Sequence, residues 1–371
     1  VATEFIIYKC SPFVNIRKKN NIPWKRTSSG SPTTSSDYFK SMELRHENLR
    51  RLRDIRDTLQ QMKTLKIPIG TDHRNRFMQS PFRSITGRNQ PSNSRNIFGG
   101  PKWMRRLIQP PEGMGMGYVD WSANEFGTAA GLSGDELMKE AYQSQCPYLW
   151  FAIKAGHALP ESTKKTHPEV RNKFKTLSLA LMYGQGRDGI ALRLGVSKAE
   201  ADSLILIHKR IFTTFWEWSD ESVAKALLHK RIISNCGWRY FVRSTEIEES
   251  SGKKRGPNVR SLMNWPMQTH GSEMMRVATI LITKESIAVS AVVHDAFLVL
   301  DQAESILETA EKTQKLMTEA SRIILNGFEL KTDAEVFIHP ERFPEERGEE
   351  VWNMLQHQLE KKSQQNLFEA L

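Results

Sequence analysis

The chain has 371 residues, 39% hydrophobic and 26% charged, the balance of a soluble globular protein with room for two or three subdomains. No stretch approaches the roughly 18 uninterrupted apolar residues of a membrane span, and the N-terminus lacks a signal peptide's basic start and long apolar run, so no membrane partner is expected. The net charge of +11 is unevenly placed: residues 1–110 hold 22 Lys/Arg and 7 Asp/Glu, the remainder 31 and 35, which suggests a polyanion-binding surface beside a site that needs carboxylates.

Residues 1–36 read as an irregular segment ending in the polar linker "TSSGSPTTSS". From Asp37, a plausible cap, to Lys66, the apolar residues Met42, Leu44, Leu49, Leu52, Ile55, Leu59 and Met62 recur at helical intervals beneath a basic face. Residues 67–110, rich in Pro, Gly, Ser, Asn and Arg, predict short strands and loops. "GYVD" predicts a strand ending near Asp120, passing into a helix. Residues 137–243 read as mostly helical, and Ser244 to Asn258 as a polar loop or hairpin. A helix is expected over about 268–286, then a hairpin centred on His294–Asp295, then helix, strand and helix. Cys10, Cys146 and Cys236 are far apart, with neither a disulfide framework nor metal-binding spacing, which suits a reducing cytoplasm.

"AVVHDAFLVL" sets His294 and Asp295 inside an apolar run. A carboxylate there loses water and costs several kcal/mol unless something positive or hydrogen-bonded meets it. The plain alternative is a tight turn, which Asp accepts readily. Asp120 also closes an apolar-flanked strand, so the two acids could meet across one sheet. Such a pair suits two divalent ions and phosphoryl transfer, since Mg²⁺ takes a few carboxylates plus phosphate oxygens. In "HPEVRNKFKTLSLALMYGQG", a helix starting at Pro168 sets Arg171, Lys175, Leu179 and Tyr183 four residues apart on one drifting face. That row can read a nucleotide lengthwise, phosphates on the cations and base by the ring; an amphipathic helix with solvated cations is the alternative.

Together these segments resemble family A DNA polymerases, over about residues 40–345. Motif A, D-Y-S-x-x-E, stands here as Asp120-Trp121-Ser122-Ala123-Asn124-Glu125. Motif B, R-x3-K-x3-F-G-x2-Y-G, stands as Arg171, Lys175, Leu179, Tyr183 and Gly184, and motif C, V-H-D-E, as Val293-His294-Asp295-Ala296. "TGR" at Thr86–Arg88 and "NWPMQ" at Asn264–Gln268 also match.

The resemblance implies an α+β right-hand polymerase fold. Residues 67–136 and 259–371 would be an antiparallel-sheet palm, 137–258 mostly helical fingers, and 37–66 a partial thumb. It implies a template-directed DNA polymerase that adds deoxynucleotides, drawn from deoxynucleoside triphosphates, to a primer 3′ end by two-metal-ion transfer. Asp120 and Asp295 would be the catalytic carboxylates and bind two Mg²⁺ ions. Arg171, Lys175, Leu179, Tyr183 and Glu125 would bind the nucleotide, Glu125 by excluding a ribose 2′-OH. Arg88, Asn264, Gln268 and His294 would contact primer-template DNA. A monomer without a proofreading domain is expected, in a bacterial cytoplasm or nucleoid or from a phage or mobile element. Ala296 departs from the family's second acid, Leu179 from its aromatic ring, and "CPYLWFAIKAG" lacks its His. The rival readings are a single-subunit RNA polymerase or reverse transcriptase, which Glu125 argues against, a two-metal nuclease, and an inactive nucleic-acid-binding remnant.

Overall fold

A computed structural model describes residues 22–27, 30, 32–33, 36–43, 46, 49–50, 66–92, 94–243, 246–247 and 254–369. The chain divides into two units, one within residues 1–77 and 92–104, the other formed by 78–91 and 105–371. In the first, α1 (Ser36–Glu43) sets Phe39 and Met42 against Ile22, Trp24 and Leu49 in a small core. The Trp24 indole meets Phe39 edge-on at 4.9 Å and donates to the Thr33 carbonyl at 2.7 Å. The helix begins one residue before the expected cap Asp37. Most of the expected helical run to Lys66 lies outside the described residues.

The second unit opens with the two-residue strands β1 (Gln79–Ser80) and β2 (Gln90–Pro91), which pair across residues 81–89. Its central strand is β3 (Met114–Trp121). Alternate β3 residues, Gly115, Gly117, Val119 and Trp121, are buried, while Met114, Met116, Tyr118 and Asp120 line a half-exposed face. The helices α2 (Asn124–Ser133), α3 (Glu136–Gln143), α4 (Pro147–Lys154), α5 (Pro168–Met182), α6 (Arg187–Leu194), α7 (Lys198–Ile211) and α8 (Thr213–His229) follow. They share a core in which Phe126, Phe151, Phe174, Phe212 and Phe215 are buried. Their boundaries follow local chemistry: Asp135 caps α3 by accepting from the Met138 amide, and Pro147 and Pro168 occupy the first turns of α4 and α5.

A hairpin of β4 (Arg231–Ile233) and β5 (Arg239–Phe241) comes next, then the two-residue pair β6 (Glu246–Ile247) and β7 (Lys254–Arg255). Helix α9 (Val259–Lys284) starts nine residues before the expected 268, capped by the Asn258 side chain on the Ser261 amide. Pro266 reads as a breaker in sequence, yet it lies inside α9 and is buried. Packing on both sides of this helix, by Trp265 and Met267, outweighs the hydrogen bond that proline deletes.

The chain ends with β8 (Ala288–Val293), β9 (Ala296–Gln302), α10 (Ile306–Ile324), β10 (Thr332–Ile338) and α11 (Glu349–Glu369). One antiparallel sheet results, in the order β10-β3-β9-β8. Its covered face rests on α10, whose buried Ile306, Ala310, Met317 and Ile324 recur at helical spacing. The helix comes so close that a Cβ at Gly115 would stand 2.7 Å from Ile306 Cγ2. The strand therefore has glycine there. An α+β fold with an antiparallel sheet and a helical insertion is what the sequence led us to expect. Among the described residues, no helix is long and apolar enough to cross a membrane.

Candidate active site

Asp120 ends the half-exposed face of β3, where register sets it opposite Ala296 on β9 and Asp333 on β10. Strands β8 and β9 are joined by the two residues His294 and Asp295, closed by the Val293–Ala296 pair. His294 takes φ 54°, a left-handed conformation that turns the chain in two residues. Asp295 thus stands next to the residue that pairs with Asp120, so the two strand-tip acids share one sheet edge. Asn124, in the first turn of α2, donates to Asp295 Oδ2 at 3.5 Å and accepts from the Thr128 hydroxyl at 3.1 Å. Behind them, the Ser122 amide donates to the Lys331 carbonyl at 2.9 Å and Ala123 takes φ 48°. This kink turns β3 directly into α2, whose first turn carries Glu125.

The electrostatics of this edge are unbalanced. Burial pushes the Asp120 carboxyl up to about pH 8, and the charges of Asp295, Asp333 and Glu335 add to that, while Lys175 opposes it. Asp120 Oδ1 is enclosed and has no hydrogen-bond partner among the described residues. An unpartnered carboxylate oxygen amid other negative charge fits a cation. Among the described residues no three His, Cys, Asp or Glu side chains converge on one point as a metal cage. The donor set therefore suits a hard ion that completes its shell with water and substrate oxygens, as Mg²⁺ does.

Helix α5 carries the row Arg171, Lys175, Leu179 and Tyr183. Arg171 Nε is enclosed without a partner among the described residues, and its guanidinium reaches Asn172 Oδ1 at 3.1 Å. Lys175 is exposed along α5, and the protein around its ammonium partly desolvates it. That desolvation and then Arg171 lower its pKa, whereas Asp120 and Asp295 pull it up. Leu179 is half-buried.

Tyr183, 39% exposed, caps the helix and starts a chain of polar contacts. Its hydroxyl donates to Glu125 Oε1 at 2.7 Å and accepts from Gln268 Nε2 at 2.8 Å, and Arg88 lies 3.6 Å from the same carboxylate oxygen. Burial, then the bond to Glu125, pushes the Tyr183 phenol up to about 12, so it stays a donor at neutral pH. Residues expected to touch nucleotide and DNA are thus joined as Arg88–Glu125–Tyr183–Gln268. Asn264 is buried, its Nδ2 without a partner among the described residues, and His294 is exposed at the hairpin tip.

Sequence reasoning missed Asp333 and Asn124. Asp333 lies in "KTDAEVF", where nothing but strand register could set it opposite Asp120; its Oδ2 accepts from the Ser122 hydroxyl. Asn124 reads as an ordinary helix-start residue.

The family model for DNA polymerase family A matches residues 15–338. DNA polymerase I of Aquifex aeolicus is 25% identical over 303 residues, which cover 77% of this chain and 49% of that protein. DNA polymerase I of Caldicellulosiruptor bescii is 24% identical over 204 residues, covering 53% and 24%. The chain thus spans half or less of these relatives. Among solved structures, the POL domain of Pol1 from M. smegmatis, in complex with DNA primer-template and dNTP, superposes with a TM-score of 0.67. That match has 20% identity and covers 84% of this chain and 57% of the other, so it speaks for the fold. With the family model matched over most of its length, the chain belongs to DNA polymerase family A.

Proposed function

We propose that this chain is a template-directed DNA polymerase that adds deoxynucleotides to a primer 3′ end. The primer hydroxyl oxygen would attack the α-phosphorus of the incoming triphosphate, and pyrophosphate would leave. The observation that carries this reading is the Asp120 carboxylate: enclosed, unpartnered on Oδ1, crowded by Asp295 and Asp333, and opposed by Lys175. Asp120 and Asp295 would hold two Mg²⁺ ions. Bound there, the ions would supply Lewis-acid stabilisation of phosphate charge and lower the pKa of the primer hydroxyl.

The rest is work for the chain's own side chains. Arg171 and Lys175 stand one turn apart and would take the triphosphate oxygens, Arg by its fork and Lys as a point charge. Leu179 would lie by the sugar and Tyr183 against the nascent base pair. Glu125, pinned by Tyr183 and facing Arg88, would fill the space a ribose 2′-OH needs. Arg88, Asn264, Gln268 and His294 would meet the primer-template at its minor groove, where acceptors barely distinguish base pairs and contact reads shape. In this reading residues 67–136 and 259–371 are the palm, 137–258 the fingers and 37–66 part of the thumb.

Primer extension with Mg²⁺ tests it. The chain should extend a primer by copying its template, and Asp120→Asn and Asp295→Asn should each nearly abolish extension while leaving DNA binding largely intact. Extension by either variant near the parent rate would refute the assignment. DNA binding without extension by the parent would leave a nucleic-acid-binding remnant instead.

A further inference from the structure

Arg88 is presented by a loop whose backbone is held in an uncommon way. Three successive carbonyls, of Ile85, Thr86 and Gly87, each accept from side chains distant in sequence. The Trp238 and Trp265 indoles both donate to the Ile85 oxygen, at 3.0 and 3.1 Å. The Ser272 hydroxyl lies 2.9 Å from the Thr86 oxygen and shares its one proton with the Thr269 oxygen at 2.8 Å, and the Arg276 guanidinium donates to the Gly87 oxygen. Gly87 takes φ +70°, and a Cβ there would stand 3.0 Å from the Arg276 Nη2. The turn therefore needs glycine both for its φ and for the closeness of the clamp.

The clamp is itself anchored. Trp238 lies in the loop between β4 and β5, where its amide donates to Ser234 Oγ at 2.9 Å. The Ser234 hydroxyl in turn donates to Glu273, a carboxylate buried on α9. The Asn235 amide donates to His270 Nε2 at 3.2 Å, a second attachment of this loop to α9. On the outer side, the Trp238 ring stacks on Phe82 at 5.4 Å, and the Arg276 guanidinium covers Phe82 at 4.1 Å. Buried Glu273 thus has a task that the chemistry at Asp120 does not use: it holds the hairpin loop that holds the carbonyls.

We infer that Trp238, Trp265, Ser272 and Arg276 are positioning residues for Arg88, clamping carbonyls 85–87 so that its guanidinium is held beside Glu125 before DNA arrives. A long, rotamer-rich arginine gains most from such preorganisation, because its backbone origin no longer wanders. The two indoles share one acceptor, so each covers for loss of the other. The inference rests on the reading of Arg88 as a DNA contact for its kinetic consequence, and on the geometry alone for its structural one.

The test separates the two. Trp238→Phe keeps a ring against Phe82 and removes one donor; Trp238→Phe with Trp265→Phe removes both. In DNA-free protein, the Arg88 Nε–Hε resonance, assigned by its loss in Arg88→Lys, should be sharp in the parent and in Trp238→Phe. In the double variant it should broaden or shift toward free arginine. In primer extension, the double variant should lose about tenfold at the incorporation step, within the range set by small misplacements, and less than about twofold when Arg88 is already Ala. An unchanged Arg88 resonance in a folded double variant overturns the inference, as does an equal loss with and without Arg88. If the double variant does not fold, Ser272→Ala with Trp238→Phe carries the same resonance test. An Arg88→Ala variant that extends normally would instead refute the DNA-contact reading and leave the resonance to decide the clamp.

Discussion

Asp120→Asn should make the metal-free protein more stable while it removes activity. The Asp120 carboxyl ordinarily titrates near 3.8 and is held here to about 8 by burial, then by Asp295 and Asp333. Between those values the folded chain keeps a proton that the unfolded chain has released, so stability falls as pH rises from about 4 to about 8 and is flat above. At about 1.4 kcal/mol per tenfold change in proton affinity, the ceiling is about 6 kcal/mol. Water at the half-exposed face and relaxation of the hairpin reduce the observable part to about 1–3 kcal/mol, within the usual range for one substitution. Asn is close in shape and carries no charge, so it recovers that amount at pH 8.5 and progressively less toward pH 5. The assay is thermal unfolding in EDTA across this range. The Asn variant should melt about 1–4 °C higher at pH 8.5, at roughly 1.3 °C per kcal/mol for a chain of this length, and the gap should narrow as pH falls. Adding Mg²⁺ should raise the parent's melting temperature at pH 8.5 and do little for the variant. A variant that melts lower than the parent at pH 8.5, or a gap independent of pH, refutes the account of Asp120 as a buried charge awaiting a cation.

Glu125→Ala should raise ribonucleotide incorporation relative to deoxynucleotide by one to two decades, at about 1.4 kcal/mol each, measured by competitive single-nucleotide extension. Tyr183→Phe, which deletes the 2.7 Å bond pinning Glu125, should move selectivity the same way by less. Lys175→Gln should weaken deoxynucleotide triphosphate binding at least about tenfold in steady-state kinetics, the scale of one charge-assisted phosphate contact, with primer-template affinity nearly unchanged. Affinity for duplex DNA should fall steeply with salt, log K against log salt sloping by about −0.9 for each phosphate that the basic first 110 residues neutralise; a flat salt response would leave that charge without its polyanion.

Much of the site was legible because its residues sit where periodicity breaks. Asp120 and Asp295 interrupt apolar strands, and four-residue spacing set Arg171, Lys175, Leu179 and Tyr183 in one row. The Glu125–Tyr183 bond joins residues 58 positions apart, so local spacing did not carry it. What could not be read depends on long-range register or on packing. Asp333 reaches Asp120 only through the pairing of β10 with β3. The clamp on residues 85–87 joins segments about 150 to 190 positions apart. The early start of α9 was hidden because Pro266 argues locally against a helix that its buried neighbours stabilise.

Ala296 is where local and long-range arguments meet. By motif it is a loss, since an acid expected beside Asp295 is absent. By register it is one of two residues flanking Asp120, fully buried, with Asp333 on the other side. An acid at 296 would therefore add a further negative charge to a carboxyl already held at about 8 by its neighbours. It would do so at a fully buried position, where desolvating a charge is costly. Asp333 is exposed on the open side of the sheet and takes a hydrogen bond from Ser122. Its charge is thus partly compensated where one at 296 would not be. The face around Asp120 thus has its flanking carboxylate on the exposed strand, where the cost of holding it is lower than at buried position 296.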